Sequence, residues 1–333
     1  MKRLAGMLII GAISLILVNN PFTDHYVSQL KMDNPAVTAV SDPLIQRIEE
    51  ESPKYYIAPQ DAKIDPVWKA IPGYNGVKVD TLASYKRMKS DRKFDPDKLV
   101  LKQIEPEKKL GDLPPAPVYK GNPDKPMVSF IINVAWGNEY LSGMLATLKK
   151  HKVTATFFLE GRWVQQNPDL AKMITEAGHE AGNHSFTHPD MKTISSARIR
   201  EEIEKTNQVI KATTGQEVTW FAPPSGSYRD ETVQIAAEKK LKTVMWSLDT
   251  VDWRKPSPEE LLNRVVPKIH NGAIILMHPT DSTAKSLDRL IIQIKEKDLE
   301  IASVSRLLSE ERIMDKTLKE KQDFGKNNNN EIY

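Results

Sequence analysis

From Met127 onward the sequence alternates short β-branched or aromatic runs with longer stretches of helical periodicity, and this alternation limits the possible folds more than any other feature. Val128 to Ile132 reads as a buried strand, Leu141 to Lys150 as a helix, Val153 to Leu159 as a second strand and Asp169 to Ala177 as a second helix. His179 to Ala181 predicts a short strand, and Ala197 to Ala212 a long helix whose wet side is marked by Glu201, Glu202, Glu204 and Lys205. Three more pairs follow: Thr219 to Phe221 with a helix from Glu231, Thr243 to Ser247 with a helix from Pro258, and Ala273 to Met277 with a helix from Thr283. A last strand, Glu300 to Ala302, leads into Val304 to Glu310. Strands separated by helices of this length pair in parallel through βα crossovers. Seven or so such repeats predict an α/β fold of the (β/α) barrel type, with a doubly wound open sheet as the alternative.

The N-terminal third reads differently. Lys2 and Arg3 precede fifteen uncharged residues, Leu4 to Val18, which has the shape of a secretory n-region and h-region. As a helix this stretch spans about 22 Å, short of the roughly 30 Å hydrocarbon core. No A-x-A-like cleavage site follows, since the chain continues Asn19, Asn20, Pro21, Phe22. The expectation is a signal anchor over residues 1–20, with a cleaved signal or a buried helix as alternatives, and with the remainder on the outer face of the membrane. Thirteen of the 22 prolines lie between Asn19 and Lys125, so residues 21–125 are expected to form a stalk containing a small α+β or irregular module, best placed at Tyr55 to Met88. Asp112 to Pro126 is either a proline-stiffened linker or an extended arm along the next domain. The main domain is expected over 126–312, and a disordered Lys-rich and Asn-rich tail over 313–333.

Composition excludes several classes of function. With 47 Lys and Arg against 44 Asp and Glu, the formal charge of +3 has no dominant sign, so nucleic acid is not an expected partner. The chain has no Cys, so disulfides, thiolate zinc sites and cysteine nucleophiles are excluded, and any metal must be held by His and carboxylates. In either α/β fold, functional groups gather past the C-terminal ends of the strands. Those positions carry Asn133, the run Asn183 to His188, the turn Ala222 to Gly226, Asp249 to Trp253, and His278. Three of the seven histidines therefore fall at one rim. His184 and His188 are four apart, a spacing that can bring two imidazoles to one ion or can serve only capping and packing. Ser185 stands where the zinc-protease motif of that spacing needs Glu, which dismisses that motif. Asp249 and Asp252 flank a strand end and could be helix caps before Pro256 to Glu260. His278 near an acidic partner is suited to general acid work.

Taken together, these segments resemble the polysaccharide deacetylase family with its NodB homology domain. The residues carrying the resemblance are Ala155 to Gly161, Gly178 to His188, Phe221 to Gly226, Asp249 to Trp253 and Leu276-Met277-His278, in the family's order, over roughly Met127 to Leu308. The anchor and proline-rich stalk look most like the sporulation-associated branch of spore-forming Gram-positive bacteria. The resemblance implies a distorted (β/α) barrel that removes acetyl groups from N-acetylated cell-wall or spore-wall glycan, using zinc or another divalent metal. By that resemblance His184 and His188 are metal ligands, His278 is the acid and Asp252 its orienting partner. Trp253, Leu276, Trp136 and Pro223 would form the substrate pocket. The family's Asp-Asp pair, base and metal ligand, falls on Asn133 and Val134, and the Arg before the paired prolines is Ala222. An amide takes no proton from water and Val offers no lone pair, so the resemblance implies impaired catalysis, with a non-catalytic glycan-binding or scaffold protein of the spore envelope as the alternative.

Overall fold

The computed structural model of the protein describes residues 42–314. The expected signal anchor and nearly all of the tail lie outside the described residues. Among the described residues no helix is long and apolar enough to cross a membrane.

The chain divides into two compact units. The smaller contains residues 42–57 and 77–103. Its helices Pro43–Glu51 and Thr81–Met88 start at Asp42 and Asp80, whose carboxylates accept the N–H of Leu44 (2.9 Å) and Ala83 (3.0 Å). Both helices direct apolar residues inward, so that Leu44, Ile48, Val79, Met88 and Leu99 form one small core. The module expected over Tyr55 to Met88 does not match this unit, because residues 58–76 belong to the larger one and the smaller is built from two separated segments.

The larger unit contains residues 58–76 and the chain from Ile104 onward. Its strands are β1 (Met127–Val134), β2 (Thr156–Leu159), β3 (Glu180–Asn183), β4 (Trp220–Phe221), β5 (Lys242–Thr243), β6 (Leu248–Asp249), β7 (Ile274–Met277) and β8 (Glu300–Ala302). The intervening helices are α1 (Asn138–His151), α2 (Gly161–Gln166), α3 (Pro168–Glu176), α4 (Ser196–Thr214), α5 (Asp230–Glu238), α6 (Pro258–Val265) and α7 (Asp281–Lys295), and α8 (Val304–Leu308) follows β8. The sheet runs β6-β7-β1-β2-β3-β4-β5, all parallel, and β8 pairs with the start of β1. That is the circular strand order of a barrel with a seam between β5 and β6. The seam explains a difference from the expected single strand Thr243 to Ser247. Val244 N–H still donates to the Phe221 carbonyl (2.9 Å), but on the other side the chain bonds Val118, which donates to the Thr243 carbonyl (2.9 Å) and accepts from Met245 N–H (2.8 Å).

Strand alternation sorts the residues of β1. Val128, Phe130, Ile132 and Val134 enter the cluster between sheet and helices, whereas Met127 and Ile131 enter the barrel interior with Phe158, Trp220, Val244 and Leu276. Gly182 in β3 makes room for that filling, because a Cβ there would sit 2.4 Å from the Phe158 ring. The stalk boundary expected at Lys125 therefore moves. Residues 104–125 belong to the larger unit, held by Val118 and by Gly121 N–H on the Gly272 carbonyl (2.8 Å). Of the two readings of Asp112 to Pro126, the extended arm is the one realised. Ile313, expected to open the tail, is buried in the barrel-interior cluster.

Candidate active site

A cleft of about 470 Å³ opens at the C-terminal ends of the strands, and its walls carry Asn133, Trp136, His184, His188, Asp249 and His278. Asn133, on the interior side of β1, is 5% exposed, and its carboxamide Oδ1 is buried with no hydrogen-bond partner. Val134 is one residue on and therefore faces the other way, into the helix-side core. The two positions that the resemblance equates with adjacent carboxylates thus serve different layers. The chain then turns at Gly137, at φ 83°, where a Cβ would lie 2.0 Å from the Pro279 carbonyl oxygen.

The segment after β3 is held by a polar frame that the sequence did not disclose. Asn183 accepts the Ser185 N–H (2.8 Å) and donates to the Ile203 carbonyl (2.9 Å), and the Ser185 hydroxyl accepts the His188 N–H (3.0 Å). Glu202 of α4, expected on the wet face, is instead wholly buried. It accepts the N–H groups of Phe186 and Thr187 and the Thr187 hydroxyl, each at 2.7 Å, and pairs with Arg198 at 2.6 Å. A charge letter in a helix does not say whether four donors wait opposite it. Within this frame Ser185 and His188 both have positive φ, 62° and 56°, a strained backbone of the kind that functional sites retain.

The imidazoles of His184 and His188 lie edge to face with centroids 5.0 Å apart. His184 Nδ1 is 2.8 Å from the Ala222 carbonyl oxygen, which can only accept. Nδ1 therefore carries the proton and Nε2 keeps its lone pair. Burial pushes the His184 pKa down to about 3, helped by His188 and His278 nearby, and burial also lowers His188. Both rings are neutral at neutral pH.

On the opposite wall Asp252 is fully buried. Its Oδ1 faces His278 Nδ1 (2.8 Å), and its Oδ2 accepts the His278 N–H (2.6 Å) and the Thr283 hydroxyl (2.6 Å). The carboxylate fixes the Nδ1–H tautomer and leaves Nε2 for the cleft. The preceding residue, Val251, sits at φ 54°, costly for a β-branched side chain, and its N–H donates to Asp249 Oδ1 (2.8 Å). Trp136 lies parallel to the His278 ring at 5.9 Å.

Of the residues expected in the site, Asn133, His184, His188, His278, Trp136, Trp253 and Leu276 line the cleft, and Asp252 stands directly behind His278. Pro223 does not line it. That residue is buried, and the turn it opens presents Ser225, at φ 55°, instead. Trp246 also lines the cleft. It was not expected because the sequence places it inside a strand, Thr243 to Ser247, whereas functional groups gather past the strand ends. Among the described residues no three His, Asp or Glu side chains gather closely enough to hold a metal ion. Two imidazoles with no third His, Asp or Glu gathered to them are one protein ligand short of the three that a catalytic zinc site uses, so the residues present do not fit that group.

The sequence profile of the polysaccharide deacetylase family matches residues 120–244, which run from just before β1 through β5. The chain is 53% identical over 310 residues to the Bacillus subtilis protein YlxY, covering 93% of this chain and 97% of that one. It is 30% identical over 200 residues to the B. subtilis peptidoglycan-N-acetylmuramic acid deacetylase PdaA, covering 59% of this chain and 76% of that one. Its fold is similar to that of BA3943, a CE4 family pseudoenzyme from Bacillus anthracis, with a TM-score of 0.76 and 54% identity over 82% of this chain and 97% of that one. A mutant of BA3943 described as having restored enzymatic activity gives 0.75 and 53% over 81% and 99%. Similarity that spans relatives nearly end to end, with the profile match falling on β1 to β5, whose ends carry Asn133, His184 and His188, places this chain in the polysaccharide deacetylase family.

Proposed function

We propose that the protein holds N-acetylated cell-wall glycan in its cleft and does not hydrolyse it at a rate typical of its family. The observation that carries this reading is Asn133. A carboxamide stands where the resemblance puts the base, and its buried oxygen has no partner. It cannot take a proton from water, and removing a positioned base costs roughly a hundredfold to ten-thousandfold in rate. An unpaired buried acceptor costs about 1–3 kcal/mol, which an amide N–H or hydroxyl of a bound sugar would offset. His278, oriented by Asp252, offers Nε2 from one side of the cleft, and Trp136 and Trp253 supply flat apolar surface for a pyranose. No step of this function runs through zinc or another divalent ion. The names of the relatives support the same direction, since they include a peptidoglycan deacetylase and a family pseudoenzyme. We further place the protein on the outer face of the membrane or in the spore envelope, anchored by Leu4 to Val18, on the strength of that uncharged stretch.

The test is calorimetric titration of the full chain with peptidoglycan fragments and N-acetylglucosamine oligomers, with acetate release assayed in the same samples, with and without added zinc. Binding without acetate is expected, weakened in Asn133→Ala. Sustained acetate release that His184→Ala abolishes would overturn the reading.

A further inference from the structure

The smaller unit carries a run of one charge sign that its own packing does not use. Lys86 and Arg87 occupy the last turn of the helix Thr81–Met88, Lys89 caps it, and Arg92 and Lys93 follow in the turn beyond, all of them exposed. Among the described residues no carboxylate stands within ion-pair distance of any of the five, whereas Lys98 and Lys102 of the same unit pair with Asp91 and Asp80. Asp91, the one acid inside the run, is therefore already taken. We infer that this basic end of the helix is a docking surface for a bilayer of anionic phospholipid. The inference rests on the membrane placement proposed above and adds to it the face that meets the lipid.

Three observations support it. Cations in the last turn of a helix offset the partial negative charge of its C-terminus, which accounts for Lys86 and Arg87 but not for those beyond the helix end. Left uncompensated, the five repel one another, and a surface of phosphates relieves that repulsion, each cation strengthening the contact roughly fivefold. Leu82, one turn before Lys86 on the same side of the helix, is 41% exposed, although Leu44, Ile48 and Met88 of the same unit are buried. An apolar side chain beside a basic cluster can enter the acyl boundary while lysine stems lie along it and their ammonium groups stay among the phosphates. That pairing favours a bilayer over a soluble polyanion, which has no apolar phase. Finally, residues 19–41 join this unit to the uncharged stretch Leu4 to Val18, and a chain of that length spans at most about 80 Å, so a membrane holding that stretch lies within reach of the patch.

The chain has no Cys, so Leu82→Cys gives a unique attachment point for an environment-sensitive fluorophore. The experiment reconstitutes the labelled full chain into vesicles of pure phosphatidylcholine and into vesicles rich in phosphatidylglycerol. Emission from position 82 is expected to shift to the blue in the anionic vesicles alone, and to return in about 1 M salt, where the screening length falls to about 3 Å. Neutralising the patch with Lys86→Gln, Arg87→Gln, Lys89→Gln and Lys93→Gln is expected to abolish the shift. The same fluorophore at Asn263→Cys, an exposed position of the larger unit, is expected to stay unshifted. If the protein floats with the lipid but position 82 emits alike in both vesicles, shifts no more than position 263, or still shifts in the neutralised variant, the docking surface is overturned and the membrane placement stands. Failure of the chain to float with either vesicle would overturn that placement and this inference with it.

Discussion

Replacing Glu202 with alanine should destabilise the protein by about 3–5 kcal/mol, the usual consequence of removing one partner from a buried charged network. The magnitude follows from what the carboxylate satisfies. One oxygen, Oε2, takes the N–H groups of both Phe186 and Thr187 at 2.7 Å. Its loss leaves two backbone donors screened from water, at about 1–3 kcal/mol each. The other oxygen takes the Thr187 hydroxyl and Arg198. Arg198 is 40% exposed and keeps Glu201 at 2.7 Å, so its share of the loss is small. Glutamine is the informative control. Its single oxygen can still serve both N–H groups, and the Thr187 hydroxyl can turn to accept from the new amide, so what is lost is the charge and the acceptor for Arg198, and the cost falls to about 1–2 kcal/mol. Urea denaturation followed by circular dichroism, compared at unchanged m-value, measures both variants. A loss below about 1 kcal/mol in Glu202→Ala, or equal losses for alanine and glutamine, would refute the claim that this acceptor organises the loop carrying His184 and His188.

Other perturbations test other parts of the site. Gly137→Ala places a Cβ 2.0 Å from the Pro279 carbonyl at φ 83° and should cost roughly 3 kcal/mol or more, with a shift in tryptophan emission as Trp136 leaves His278; an unchanged melting temperature would contradict it. In Asp252→Asn the new amide faces His278 Nδ1, which must become an acceptor, so nitrogen NMR should find the neutral imidazole proton on Nε2 where the parent carries it on Nδ1. Burial pushes His179 down from 6.5 to about 4, so between those values the unfolded chain binds the extra proton. Its contribution is therefore complete above about pH 6.5 and is lost as pH falls toward 4, at about 1.4 kcal/mol per pH unit. His184 and His188 act in the same direction, and His179→Gln should flatten the acid limb of a stability–pH curve by one histidine's slope; an unchanged limb would show that His179 is not buried neutral.

The strands were legible because a parallel sheet buried on both faces writes itself as continuous apolar runs, and Val128 to Ile132 and Ala273 to Met277 are such runs. The rim histidines were legible for a related reason, since strand ends mark where the chemistry of such a sheet collects. What escaped were features that depend on the partner across space. Thr243 to Ser247 has strand composition throughout, but Thr243 and Met245 bond an arm more than a hundred residues earlier, which no local pattern reports. Glu202 sits between two other charged positions and looked wet with them. Pro223 and Ser225 share one turn, and a positive φ decided which of them reaches the cleft.

The amino-acid sequence alone determined the βα order of the main domain and the chemical content of its rim. It also carried Asn133 and Val134 at the positions where the resemblance puts two carboxylates, because residue identity and spacing are local properties. Tertiary structure decided which way those residues face. It set the tautomers of His184 and His278 through Ala222 and Asp252, buried Glu202 beneath the histidine loop, and brought Trp136 and Trp253 together in one cleft. Each of these rests on contacts between segments far apart in the chain, and the strength of a hydrogen bond or the burial of a charge is fixed only once both partners are in place.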